Sequence, residues 1–320
     1  MTELSVVLPV YNAARFLPEA IASISAQTLA AFEVIAVDDG STDDSAAILT
    51  DWARSDHRVR IVRHATNQHV ASALNTGLAH ASGPLVIRAD ADDVNALDRF
   101  AILNAASAAN PQLAVIGSAA WMGGRVECFP ETAAAIRARM LWDCPFLHPT
   151  VLLNRRVLGE VRYDPDFSGL EDVELWWRTV FRHPTMNLRQ PLVRYRYRAD
   201  SVSLRLDEAR LRRERTYDVV VARALGLTNT DHAGLACRLG NRVAQMPPRQ
   251  VTRYVLAVCR RASDLGLAPA SALRREALRQ CWRFWRFYGR RRLATDLPGV
   301  AAATMELLWN LRRQTLAVSA

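Results

Sequence analysis

Cysteine is scarce and scattered in this chain: five residues, Cys128, Cys144, Cys237, Cys259 and Cys281, with no close pair among them. That spacing argues against a zinc site or a disulfide framework, and a reduced, cytosolic setting fits it best. Nowhere do about 18 apolar residues run uninterrupted, so the sequence offers no transmembrane helix. The opening, MTELSVVLPVYN, lacks the basic stretch and long apolar run of a secretory signal. Also missing near the N-terminus is a glycine-rich phosphate loop with its lysine, which counts against a nucleotidyltransferase. No internal repeat and no low-complexity linker interrupts the chain.

What is present suits a globular protein of 320 residues, half of them hydrophobic. The mean hydropathy is −0.04. That length allows one large domain or a domain with an appendage. The net charge of +9 is unevenly placed, with much of the arginine surplus after Arg189, as in Arg210, Arg212, Arg213, Arg215 and Arg290, Arg291, Arg292. Such runs could meet anionic lipid, phosphate-bearing substrates or nucleic acid, and a solvated helix face is the plainer account.

Apolar runs of strand length occur at Ser5–Pro9, Glu33–Val37, Val59–Val62 and Pro84–Ile87, with a further candidate at Leu113–Gly117. Between the first, second and fourth of these, Leu17–Gln27, Ser45–Ser55 and Val70–Ala81 read as helices. Strands alternating with helical crossovers predict a doubly wound, mostly parallel sheet, each strand buried on both faces. Cys144 to Ser203 reads as irregular, with several prolines around an acidic centre. From about Leu204 the strand signal disappears, and Ala/Leu/Arg content at helical spacing predicts several helices, broken at Pro247–Pro248, Gly266 to Pro269 and Pro298–Gly299. The expected organisation is a catalytic domain over residues 1–203 and a helical C-terminal extension over 204–320.

Ligands of open α/β sheets bind beyond the carboxyl ends of the strands. The first strand ends there in Pro9, Val10, Tyr11 and Asn12, and the second in Asp38, Asp39, Gly40, Ser41, Thr42 and Asp43. A carboxylate at that place can accept hydrogen bonds from a base N–H or from ribose hydroxyls, and Tyr11 can stack on a base. Asp43 is better read as a cap of the next helix. The fourth strand ends in Arg88, Ala89, Asp90, Ala91, Asp92 and Asp93. Three carboxylates so close repel one another unless something positive sits among them, which argues for a hard cation such as Mg²⁺ or Mn²⁺. Alternation puts Asp90 and Asp92 on one side of an extended segment. Glu171 and Asp172 open a probable helix, where the dipole favours acids; they are either caps or a general base.

These elements, in this order, resemble family 2 glycosyltransferases. The resemblance rests on Ser5 to Asn12 (SVVLPVYN), Phe32 to Asp43 (FEVIAVDDGSTD), Asn67, Ala73 to Asn75, Ala81 to Gly83 and Arg88 to Asp93 (RADADD). Asp98–Arg99, Asn110–Pro111, Gly117–Ser118, His148–Pro149–Thr150 and Glu171–Asp172 continue it in register, so it spans about residues 4 to 203. It implies a GT-A fold, that is, a Rossmann-like α/β domain with a mostly parallel central sheet flanked by helices, here with an all-helical C-terminal extension. It also implies an inverting, metal-assisted transfer from a nucleotide sugar, most often a UDP-sugar, to an acceptor hydroxyl in glycan or surface-polysaccharide synthesis. By that resemblance Pro9, Tyr11, Asp39, Asn67, Asn75, Arg88 and Asp90 would hold the nucleotide sugar, with Asp39 on the base. Asp92, with Asp90, would hold Mn²⁺ or Mg²⁺. Asp172 would take the proton from the acceptor, near His148, Glu171 and Trp176. A single displacement would then invert the anomeric centre, unlike the two-carboxylate glycosidase scheme.

Two departures stand out. The family usually has glycine shortly after the Asn67 motif, where this chain has His69. It often has a histidine in a Tyr-Arg-x-His element, where Tyr195, Arg196, Tyr197 and Arg198 put arginine. Arg198 cannot ligate a cation, but its fork suits the donor diphosphate. His148 would contact donor phosphate or acceptor, or be a buried structural histidine. Trp176 and Trp177 offer a face for sugar stacking, though such helix residues are more often core. In the extension, Cys281 to Arg292 (CWRFWRFYGRRR) mixes aromatics with arginines, as in helices that lie in a membrane interface. Packing on the catalytic domain or a homodimer contact would use the same residues. The resulting expectation is a cytoplasmic protein, peripheral at the inner face of a membrane, with a glycan or lipid-linked glycan acceptor and no nucleic acid partner. A degenerate sugar-nucleotide-binding or scaffold protein is the alternative; retention of Asp39, Asp92 and Asp172 together speaks against it.

Overall fold

The computed structural model describes residues 3–167, 169–197, 208–227 and 248–292. The chain divides into two compact units, Met1–Ile136 with Cys144–Arg205, and Arg137–Asp143 with Leu206–Ala320.

In the first unit the chain runs β1 (Leu4–Val10), α1 (Leu17–Ser25), β2 (Glu33–Asp38), α2 (Ser45–Ser55), β3 (Val59–Arg63), α3 (His69–His80) and β4 (Leu85–Arg88). It continues through β5 (Val94–Asn95), α4 (Arg99–Ala109), β6 (Val115–Met122), β7 (Arg125–Glu127), the start of α5 (Ala133–Met140), β8 (Leu152–Asn154), α6 (Arg155–Leu158), α7 (Glu171–Val180) and β9 (Thr185–Tyr195). Nine strands form one sheet in the order β3-β2-β1-β4-β8-β6-β9-β5, with β7 paired to β6 outside that path. Strand β1 pairs in parallel with β2 on one side and β4 on the other, and β2 pairs in parallel with β3. The chain therefore reverses its direction of travel between β1 and β4, which opens a crevice at their carboxyl ends.

The central strands read as continuous apolar runs because both faces are covered. Leu4, Val6, Leu8 and Val10 share a buried cluster with Leu17 and Ile24 of α1, Leu49 and Trp52 of α2, and Phe100 and Leu103 of α4. On the opposite face α3 approaches β1 so closely that a Cβ on Gly77 would lie 2.4 Å from a Val7 methyl. Side chains there must be small, which fixes glycine at that turn of the helix.

Among the described residues from Cys144 to Tyr197 the chain is not irregular, contrary to its reading from sequence. It holds β8, α6, α7 and the eleven-residue β9. Strand β9 runs parallel to β6 from Thr185 to Leu188, breaks register near Pro191, and resumes to Tyr195, where it also pairs antiparallel with β5. The register shift accommodates a proline that cannot donate to a ladder. It also carries the end of β9 to the acidic turn after β4.

The second unit consists, among the described residues, of α8 (Glu208–Ala224), α9 (Pro248–Asp264) and α10 (Ala270–Arg292), together with Arg137–Asp143. Trp142 is buried there with its ring edge-on to Tyr254 at 6.1 Å. Arg139 pairs with the buried Glu276 at 2.6 Å, and Asp143 with Arg283 at 2.7 Å. Helix α9 ends at Gly266, whose φ of +64° and the 2.9 Å bond from Leu267 N–H to Ala262 C=O close it with a left-handed cap.

Candidate active site

Three turns meet at the carboxyl ends of β1, β2 and β4. The first two are laced together. Asn12 takes a positive φ of 46°. Its N–H donates to Ser41 Oγ (3.1 Å) and its Oδ1 accepts from Thr42 N–H (2.8 Å). Ala13 N–H donates to Ser45 Oγ and Ala14 N–H to Asp43 Oδ2. Asp43 also accepts from Ser45 N–H, an Asx turn just ahead of α2, whose N-cap residue is Asp44. Burial works against the charge of Asp43, but Ser45 and the two N–H groups outweigh that and hold its carboxyl below the ordinary range. Pro9 is half-buried and Tyr11 lies 46% exposed at the mouth of the crevice, its ring free to meet a flat ligand.

Asp39 is buried, and its Oδ1 accepts two hydrogen bonds, from His64 Nδ1 at 2.6 Å and from Gln68 N–H at 2.9 Å. Gly40, with a φ of +72°, lets the turn after β3 come close; a Cβ there would lie 2.6 Å from the Thr66 carbonyl carbon. In that turn Asn67 Oδ1 accepts from His69 N–H at 2.8 Å, which starts α3. His69 itself has φ +67°. The histidine thus occupies a left-handed conformation that glycine adopts without steric cost and that residues with a Cβ adopt rarely.

In the turn after β4, carboxylate oxygens of Asp90, Asp92 and Asp93 lie within 4.8 Å of one another. Burial first, then the negative charge of Asp90, pushes the Asp93 carboxyl up to about 8. Its Oδ1 accepts from Arg196 N–H at 2.9 Å, whereas its buried Oδ2 has no hydrogen-bond partner. Arg196 also donates from Nε to the Asp92 carbonyl at 2.9 Å and pairs with Glu19. Arg99, fully buried at the start of α4, ties the Arg88 carbonyl (2.8 Å) to that of Pro149 (2.6 Å). An all-carboxylate set, crowded and with one orphaned buried oxygen, fits a hard divalent cation.

Arg88 is the link to the other side of the crevice. It is buried and ion-paired with Asp90, and its Nε lacks a hydrogen-bond partner. Burial opposes its charge, but Asp90 leads the acids that keep it protonated. Its field also reaches His148, Tyr163, Glu171 and Asp172. Glu171 and Asp172 open α7. Gly169 N–H donates to Glu171 Oε2 (2.5 Å), Val173 N–H to Asp172 Oδ1 (2.8 Å), and the Cys144 thiol faces Asp172 Oδ2 at 3.8 Å. Burial and then the Asp172 charge push Glu171 up to about 7. Burial raises Asp172 as well, against the pull of Val173 N–H and Arg88.

His148 is buried, its Nε2 2.9 Å from the Tyr163 hydroxyl. Burial and then Arg88 hold it well below the ordinary imidazole range, so it stays neutral. Asn75 spends both ends of its amide on the Tyr163 backbone, donating to C=O and accepting from N–H at 2.8 Å each. That side chain is therefore a clamp on the Tyr163 backbone, a role its expected place among the donor contacts did not include. Trp176 is a correction to its expected place in the pocket. It is fully buried, against Phe146 at 5.0 Å and His148 at 5.9 Å, and presents no ring face for a sugar. Arg198 lies outside the described residues. Sequence reasoning missed His64, Tyr163 and Arg196; only the alternation of YRYR at the end of β9 hinted that an arginine would face the acids.

A mixed sheet whose parallel part, β3-β2-β1-β4, has its switch point at β1 and β4, an acidic triad at that point and a second acid pair beyond Arg88 are the features of a GT-A glycosyltransferase. The comparisons agree: the family model for Glycosyl transferase family 2 matches residues 5–157. EpsE of Bacillus subtilis (strain 168), named as a glycosyltransferase, is 30% identical over 274 residues, covering 79% of this chain and 92% of that one. The chain belongs to glycosyltransferase family 2. Among solved structures, S. aureus TarS 1-349 in complex with UDP-GlcNAc superposes with a TM-score of 0.60 at 17% identity, over 90% of this chain and 91% of that one. The mannosyltransferase PcManGT from Pyrobaculum calidifontis, in complex with GDP-Man and Mn²⁺, gives 0.56 at 21% identity, over 96% and 87%. At those identities the two structures establish the fold.

Proposed function

We propose that this glycosyltransferase moves a sugar, with inversion, from a UDP-sugar to a hydroxyl of a glycan or lipid-linked glycan. The observation that carries the reading is the pairing of two acidic groups across Arg88: the triad Asp90, Asp92 and Asp93, and the buried pair Glu171 and Asp172, whose carboxyls burial raises toward neutrality. Tyr11 stacks on the base, while Asp39 accepts from its N–H edge. Asp90 and Asp92 would hold Mn²⁺ or Mg²⁺, which would supply positive charge against the diphosphate leaving group. The GDP-Man and Mn²⁺ in the mannosyltransferase structure are in keeping with such a site, and the UDP-GlcNAc in TarS with a uridine donor. Arg198 adds a diphosphate contact.

Asp172, at the mouth of the helix dipole, accepts the proton of the attacking hydroxyl. Glu171 and Arg88 set the pH at which it is free to do so. The proton moves from acceptor oxygen to the Asp172 carboxylate as that oxygen bonds to the anomeric carbon and the diphosphate leaves from the opposite face. His148, being neutral, orients Tyr163 beside this pair. The protein works at the cytoplasmic side of a membrane, which the aromatic and arginine-rich end of α10 would touch; among the described residues no helix is long and apolar enough to cross one. Residues 1–203 act as the catalytic domain and 204–320 as its extension.

The test is release of UDP from a panel of UDP-sugars with Mn²⁺, with EDTA, and with the Asp172→Asn variant. Metal-dependent release that falls about 10³-fold in the variant, with UDP affinity unchanged, is the expected result. Release indifferent to EDTA and to Asp172→Asn would contradict the assignment.

A further inference from the structure

His64 was not among the residues that the sequence singled out, yet it makes the shortest contact to the carboxylate expected to read the base. Its Nδ1 lies 2.6 Å from Asp39 Oδ1, and its Nε2 lies 2.9 Å from Thr76 Oγ1 on α3. Both side chains are nearly closed to solvent, 9% exposed for His64 and 4% for Asp39. An ionised carboxylate only accepts hydrogen bonds, so His64 Nδ1 carries the proton. In the neutral ring Nε2 then accepts from the Thr76 hydroxyl. Gln68 N–H fills the second acceptor direction of Oδ1. Oδ2 receives no hydrogen bond from the described residues.

We infer that His64, held by Thr76, is the positioning residue that makes Asp39 selective for bases with an N–H at the pairing edge. The inference rests on the reading that Asp39 holds the base. A carboxylate held by two donors on one oxygen is fixed in orientation and presents its other oxygen as an acceptor. Uracil presents N3–H there and is bound. Cytosine presents a bare N3, whose lone pair meets the lone pairs of Oδ2 and is refused. Discrimination of this kind comes from the unpaired buried acceptor more than from the matched pair. Without His64 the carboxyl is free to rotate, and its acceptor oxygen no longer meets the cytosine nitrogen at a fixed place.

The test is calorimetric binding of UDP and of CDP, both with Mn²⁺, to the full chain and to Asp39→Asn, His64→Phe, His64→Asn and Thr76→Val. For His64→Phe the expected result is UDP binding weakened about tenfold, the scale of one charge-assisted hydrogen bond, with CDP binding equal or tighter. His64→Asn, whose amide N–H can stand where Nδ1 stands, retains the UDP preference. Thr76→Val, which keeps the shape of the side chain and serves should His64→Phe fail to fold, loses part of that preference. If Asp39→Asn leaves the UDP to CDP ratio at its wild-type value, the base reading falls and this inference with it. If Asp39→Asn changes that ratio while His64→Phe and Thr76→Val do not, the base reading stands and the role of His64 is overturned.

Discussion

Arg88 sits where two carboxylate groups with opposite needs meet. The acids of the DADD turn need positive charge nearby, while Asp172, as the proposed base, needs a carboxyl raised enough to take a proton. Burial raises Glu171 and Asp172, and Arg88 pulls both back down. The sign of its removal follows. In Arg88→Met the pair loses its nearest cation, so its pKa rises and the acid limb of the rate profile moves to higher pH. The acid limb of the wild-type profile follows the Glu171 and Asp172 pair, whose carboxyls burial raises, because only an ionised base can accept the proton. In the variant that limb moves to higher pH and the plateau rate is lower, since the half-buried Asp90 loses its ion-pair partner. A kcat/KM profile measured from acid to alkaline pH checks this. An unmoved acid limb would assign the titration to other groups.

At the scale of elements, the turns after β2 and β3 are built to touch. Gly40 stands between them with a left-handed φ of +72°, and the nearest atoms to a Cβ are backbone atoms of Thr66 and Asn67. Backbone cannot swing aside as a flexible side chain can. Gly40→Ala therefore costs at least about 2 kcal/mol of stability and displaces Asp39 and Gln68, the two ends of one hydrogen bond. Urea unfolding and UDP affinity read the two effects.

Elements that bury a continuous apolar run between turn residues were legible in the sequence. Strands β1 to β4 and helices α1 to α3 fall within a few residues of their expected bounds, because period and punctuation carry them. Strand β9 was not, since Pro191 and the charged Arg189 and Arg194 break its alternation, and the register shift that excuses them is a property of its partner β6. Strands β5 and β8 are two and three residues long, too short to leave a pattern. The acids at strand ends could be picked out because the architecture alone puts them at the crevice. Contacts across the fold could not: 103 residues separate Arg196 from Asp93, and 88 separate Asn75 from Tyr163. Trp176 took the core place that helix aromatics more often take, rather than the pocket.

At the scale of the whole molecule, charge and chemistry are divided between two units. The first carries the crevice and its carboxylates. The second, helical among its described residues, has Trp282 65% exposed at the start of the aromatic and arginine-rich stretch. It also takes in Arg137–Asp143 from the middle of the chain, a membership that neither composition nor periodicity marks. Excess arginine in the second unit suits anionic partners at a surface. The measurement that bears most directly on the nucleotide-sugar reading is calorimetric titration of UDP, GDP and dTDP, each with Mn²⁺, with Mg²⁺ and with EDTA, against wild type and Asp92→Ala. The account predicts that UDP binds with either metal, that the other two bind more weakly, and that both EDTA and Asp92→Ala abolish most of the affinity. Binding of no nucleotide, or UDP binding that ignores both the metal and Asp92, would contradict it.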